Sequence, residues 1–84
     1  MKIVYVERSI LGRYYLSNRP ANEDKNRREF ESMESLLGYL NQSEEGEKMK
    51  KRGNLSFMVR GLEEIELENF KSYVATNNPR QKII

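Results

Sequence analysis

The chain has 84 residues, 37% hydrophobic and 33% charged, with 15 Lys/Arg against 13 Asp/Glu and neither Cys nor His. That length allows one domain, which buries only roughly 60–65% of its unfolded surface, so a homodimer or a partner would add useful burial. Without Cys and His there are no disulfides, thiolate metal sites or Cys nucleophiles, and the commonest general base is gone; the expectation is a non-enzyme with no cofactor.

The first predicted strand is Ile3, Val4, Tyr5 and Val6, which are β-branched or aromatic. With Glu7 next, this run is too short for a secretory leader, and no apolar run reaches the ~20 residues of a membrane span. A small secreted domain would usually be stapled by disulfides, so a cytoplasmic location is expected. Arg13, Tyr14, Tyr15 and Leu16 predict a second strand, joined to the first as a hairpin with Gly12 in the turn. Neighbouring side chains on a strand point to opposite faces, so only one of Tyr14 and Tyr15 belongs in the core.

Residues 17–28 read as a loop rich in turn formers: Asn18, Pro20, Asn22, Asp24 and Asn26. Residues 27–31 are expected to add a short strand with Phe30 facing in. Ser32 suits an N-cap, and Met33, Leu36, Leu37 and Leu40 follow the i, i+3, i+4, i+7 spacing of an amphipathic helix. Ser43 caps a second helix over 44–52, with its glutamates first and its lysines last, as the helix dipole favours. Gly46 weakens that helix.

Leu55, Phe57 and Val59 alternate with Ser56, Met58 and Arg60, which predicts a half-buried strand. The stretch 62–68 reads as strand or helix; length and composition favour a helix of about 63–77, ended by Asn77, Asn78 and Pro79. The expected fold is α+β, with a small antiparallel sheet built from the N-terminal hairpin and the strand at 55–60. Two to three helices pack on one face. The domain spans 1–79, and 80–84 form a tail or an edge strand.

Charge comes in blocks of alternating sign. Residues 1–28 carry net +4, 29–47 net −6, 48–60 net +5, 61–70 net −4 and 71–84 net +3. Such blocks steer encounter and partner choice rather than fold.

Candidate chemistry is sparse. Glu7, Arg13 and Tyr15 would meet across the hairpin, the minimum for a metal-independent ribonuclease, but an ordinary cross-strand ion pair is the stronger expectation. The acidic runs Glu44/Glu45/Glu47 and Glu63/Glu64/Glu66/Glu68 lack the spacing of a Ca²⁺ loop, so no metal is expected.

Binding is the better-supported class. For a protein partner, the candidate residues are Arg13, Tyr14, Tyr15, Arg19, Arg27 and Arg28, with Glu63, Glu64 and Glu66 as a second patch that mimics phosphate. Tyr and Arg are favoured interface anchors. For direct RNA or DNA binding, the alternative, the candidates are Lys48, Lys50, Lys51 and Arg52, with exposed tyrosines as a stacking platform. A short, Cys-poor, charge-dense α+β chain also resembles, in style rather than in any motif, the small accessory proteins of phages and mobile elements. That resemblance implies an inhibitor or adaptor acting on a host nucleic-acid-handling or defence protein.

Overall fold

The computed structural model describes residues 2–84. Three strands come first: β1 (Lys2–Arg8), β2 (Tyr14–Ser17) and β3 (Arg28–Phe30), with one short 3₁₀ turn at Ala21–Glu23 in the loop between β2 and β3. Helices α1 (Met33–Gln42) and α2 (Glu44–Lys50), strand β4 (Leu55–Arg60), helix α3 (Glu64–Asn77) and strand β5 (Lys82–Ile83) follow. The class is α+β, as the sequence implies.

The sheet is larger than the sequence suggests, and it is mixed rather than purely antiparallel. Its order is β3-β2-β1-β4-β5. The first three strands form an antiparallel meander, whereas β4 lies parallel to β1 and β5 parallel to β4. The physical reason is the crossover. The helices α1 and α2 return the chain to the end of the sheet where β1 began, so β4 must run the same way as β1. Helix α3 repeats this for β5. Residues 82–83 are thereby an ordered edge strand, and the ambiguous stretch at 62–68 becomes the start of α3.

All the core side chains of the sheet lie on one face. Val4, Val6, Tyr14, Leu16, Leu55 and Phe57 are buried against Met33, Leu36 and Leu40 of α1 and Phe70 and Val74 of α3. Phe57 and Phe70 meet edge to face, with centroids 5.0 Å apart. The helix spacing read from Met33 to Leu40 puts these residues on the sheet-facing stripe of α1. Phe30 at the sheet edge lies partly buried against Tyr39. Burial, with a smaller push from Glu47, raises the Tyr73 phenol to about 12.

Caps fix where the helices start. Ser32 and Ser43 accept from the Ser35 and Gly46 N–H groups, satisfying donors that open each helix. At α3, Glu63 and Glu66 form a reciprocal capping box. Among the described residues no helix is long and apolar enough to cross a membrane.

Folding pairs the charge blocks with one another. Arg8 lies 3.6 Å from Glu63 and 4.0 Å from Glu66, Arg13 lies 2.6 Å from Glu29, and Arg28 lies 3.4 Å from Glu45. From the basic first 28 residues, Arg8 thus meets the acidic run that begins α3, while Arg13 and Arg28 meet the acidic block at 29–47. The Arg13 and Arg28 pairs are about half exposed and contribute about 0–1 kcal/mol each, so they orient β3 more than they stabilise it.

Candidate protein interface

The β1–β2 turn is built by three hydrogen bonds. Ser9 N–H donates to the Arg13 carbonyl (2.8 Å), Gly12 N–H donates to the Ser9 carbonyl (3.0 Å), and Arg13 N–H donates to the Ser9 hydroxyl (3.1 Å). Gly12 has φ +82°, a conformation that a side chain disfavours. This is a hairpin with a tight turn followed by a left-handed glycine. Ile10 and Leu11 are its two central residues.

Those two side chains are anomalous. Ile10 is 100% exposed and Leu11 is 90% exposed. The turn geometry needs Gly12, but it asks for no apolar side chain at positions 10 and 11, where polar turn formers are usual. The local backbone therefore does not account for Ile-Leu there. The turn presents two adjacent aliphatic side chains in a hydrogen-bonded frame, which reduces the ordering cost of inserting them into a partner.

The sheet face turned away from the helices carries the second feature. Register places Tyr5 between Ser17 and Met58, Glu7 between Tyr15 and Arg60, and Tyr15 opposite Glu29. Tyr15 and Tyr5 are half-buried, and each ring carries a guanidinium. Arg27 lies 5.1 Å from the Tyr15 centroid and Arg60 lies 5.5 Å from that of Tyr5. These cation–π contacts contribute roughly 0.5–1 kcal/mol each at exposed sites.

The loop after β2 folds toward this face. Ala21 N–H donates to the Glu7 carboxylate (2.5 Å), and Arg27 Nη1 donates to the Ala21 carbonyl (3.2 Å). Asp24 organises the loop by accepting from the N–H groups of Asn18 (3.0 Å) and Asn26 (2.9 Å). Those bonds, led by the one from Asn26, hold its carboxyl below the ordinary carboxylate range.

The residues singled out from the sequence are distributed unevenly. Tyr14 is buried, at 7% exposure, and its hydroxyl donates to Glu66. Its reading as a surface anchor is corrected: Leu16 faces the core, so Tyr14, two residues before it, must do the same. The bond to Glu66 and burial raise the Tyr14 phenol above its usual range. Glu63 and Glu66 are engaged by Arg8 and by the α3 cap, while Glu64 is exposed. Tyr15 and Arg27 meet on the open face. Arg19 is exposed, and its carbonyl accepts from the Ser17 hydroxyl.

Arg13 pairs with Glu29, while the Glu7 carboxylate accepts from the Ala21 N–H. Arg28 reaches Glu45 and covers the Tyr39 ring on the helix side of the sheet. Lys50 donates to Glu47 and to the Asn41 carbonyl, Lys51 is exposed, and Lys48 and Arg52 line a cleft between α2 and the sheet. Among the described residues no three His, Cys, Asp or Glu side chains group to hold a metal ion.

Ile10 and Leu11 are not among the candidates that residue type and spacing single out. The available signal was an aliphatic pair in a segment whose other features demanded a turn. No family model, curated protein or solved structure matches the chain.

Proposed function

We propose that this chain is a small non-enzymatic protein-binding module, an inhibitor or adaptor that inserts the Ile10–Leu11 turn into an apolar pocket of its partner. The carrying observation is the exposure of two adjacent aliphatic side chains in a turn whose geometry does not call for them. Burying both on a partner would contribute about 3–6 kcal/mol before association costs. Arg13 beside the turn, and Tyr15 and Arg27 on the adjoining face, supply the polar rim.

The alternative is direct RNA or DNA binding with the tyrosines as a stacking platform. The open face does not favour it. Bases stack on free ring faces, whereas Arg27 and Arg60 lie over Tyr15 and Tyr5, and Glu7 and Glu29 flank Tyr15. The edges are also poor docking sites, because β3 has three residues and β5 two.

The test is affinity purification from the native host with nuclease treatment, using the natural chain and the Ile10→Asp/Leu11→Asp variant side by side. The partner is then purified and its affinity measured. The variant should fold normally and bind at least a hundredfold more weakly. Equal affinity would refute the role of the turn, and capture that nuclease abolishes would favour nucleic acid.

A further inference from the structure

The cleft between α2 and the start of the sheet has a composition that the protein-binding reading leaves unused. It measures about 320 Å³, at the low end for small-molecule sites. Its floor is apolar: Met49 of α2 is partly exposed there, above the buried Val4 and Leu16 of the sheet. Its rim is cationic, carrying Lys2, Arg28, Lys48 and Arg52 against the single carboxylate of Glu45.

That carboxylate is already engaged. Glu45 accepts from the Tyr39 hydroxyl and from Arg28, and these contacts, led by Tyr39, hold its carboxyl below the ordinary range. Lys2, Lys48 and Arg52 take part in no ion pair among the described residues. Four cations thus face one carboxylate, which Arg28 already pairs and Lys48 also feels, and this excess of positive charge on a concave surface concentrates an anionic ligand.

Two further features fit an anion. The C-terminal carbonyls of α2 would normally present negative potential there. Instead, the Gln81 side chain donates to the carbonyls of Met49 (2.6 Å) and Arg52 (3.0 Å), and the Asn78 side chain donates to that of Lys50 (2.7 Å). Across the cleft, Asp24 fixes the backbone of Asn18 and Asn26, which line the rim.

We infer that this cleft binds a nucleotide phosphate, with the phosphate among Lys2, Lys48 and Arg52 and the attached ring system against Met49. The site lies on the helix side of the sheet, at the start of β1. The Ile10–Leu11 turn lies beyond the other end of that seven-residue strand, roughly 20 Å away at ~3.3 Å per residue. Ligand and protein partner would therefore bind at the same time, and the inference stands apart from the proposed interface.

Calorimetric titration of the full chain at low salt provides the test. The probes are inorganic phosphate, adenosine 5′-monophosphate, adenosine, and one oligonucleotide with either a 5′-phosphate or a 5′-hydroxyl. Adenosine 5′-monophosphate should bind with 1:1 stoichiometry, at least tenfold more tightly than adenosine and more tightly than phosphate alone. Lys48→Gln and Arg52→Gln should each weaken it about tenfold to a hundredfold, the usual worth of a charge-assisted hydrogen bond. Lys51→Gln, outside the cleft, should leave it unchanged.

Binding of the 5′-phosphorylated oligonucleotide over its 5′-hydroxyl form would identify a nucleic-acid end as the source. Binding of the mononucleotide alone would identify a free nucleotide. The inference is overturned if no phosphate probe binds at millimolar concentration. Equal binding of the two oligonucleotide forms, or equal loss in Lys51→Gln, would also overturn it, because either marks diffuse charge attraction.

Discussion

Replacing Gly46 by Ala separates a local expectation from a tertiary one, because the two differ in sign. Glycine in a helix is less favourable than alanine by up to about 1 kcal/mol, so helix propensity alone predicts that Gly46→Ala stabilises α2. The fold predicts the reverse. Gly46 is buried where α2 turns back on α1, and a Cβ there would lie 2.1 Å from the Leu40 carbonyl oxygen and 2.6 Å from its carbonyl carbon. The obstacle is backbone, which cannot swing aside like a side chain. Overpacking of this kind costs about 1–3 kcal/mol, and a backbone clash belongs at the upper end. After the propensity gain, the net loss is about 2 kcal/mol. At about 4–8 °C per kcal/mol for a domain this size, Tm should fall by about 8–16 °C. Gly38 is the control: it lies within α1, and a Cβ there would meet nothing within 4 Å. Gly38→Ala should raise Tm by about 4–8 °C. The assay is thermal unfolding by circular dichroism, with urea unfolding to check that the slope is unchanged. A Tm for Gly46→Ala at or above that of the natural chain would refute the close-approach argument.

Tyr14→Phe keeps the ring in the core but removes the hydrogen bond to Glu66; urea unfolding should show a loss of about 1 kcal/mol, whereas Tyr15→Phe should stay within about 0.5 kcal/mol. Phe70→Ala removes a fully buried ring that packs on Phe57; a cost of about 3–5 kcal/mol, against a total of about 5–15 kcal/mol, should lower the urea midpoint sharply or abolish cooperative unfolding. Asp24 titrates below its ordinary range in the fold, so its charged form stabilises the native state. That contribution is fully present above the unfolded value near 3.9 and is lost as pH falls through the lower native value. The stability difference between the natural chain and Asp24→Asn should therefore be largest above about pH 5 and shrink below about pH 4; a difference constant across that range would refute the assignment. Ile10→Asp/Leu11→Asp should leave Tm nearly unchanged, since neither side chain has packing to lose.

Much of the secondary structure was legible because it rests on local periodicity. Met33, Leu36 and Leu40 mark the buried stripe of α1, and both serine caps act where the sequence places them. The alternation of Leu55, Phe57 and Val59 marks β4 equally well. The direction of β4 was not legible, because parallel pairing depends on how far two helices carry the chain before it returns. The charge blocks could be counted in the sequence, but which blocks meet depends on docking the start of α3 beside the end of β1. Of the candidate partner-binding residues, Tyr15 and Arg27 lie on the open face of the sheet, whereas Tyr14 belongs to the core; Ile10 and Leu11 were not among them. Aliphatic residues normally signal burial, and only the closed turn reveals that these two have nothing to pack against.

The sequence by itself determined the α+β class, the spacing of strands and helices, and the lack of Cys and His chemistry. These follow from residue type and short-range pattern, which act within a few residues along the chain. The tertiary structure alone decided the mixed sheet order, the pairing of Arg8 with Glu63 and Glu66, and the burial of Tyr14 in place of Tyr15. It also decided the convergence of Lys2, Lys48 and Arg52 on one cleft. Each of these depends on distances between segments far apart in sequence, and those distances are set by the packing of the helices against one face of the sheet.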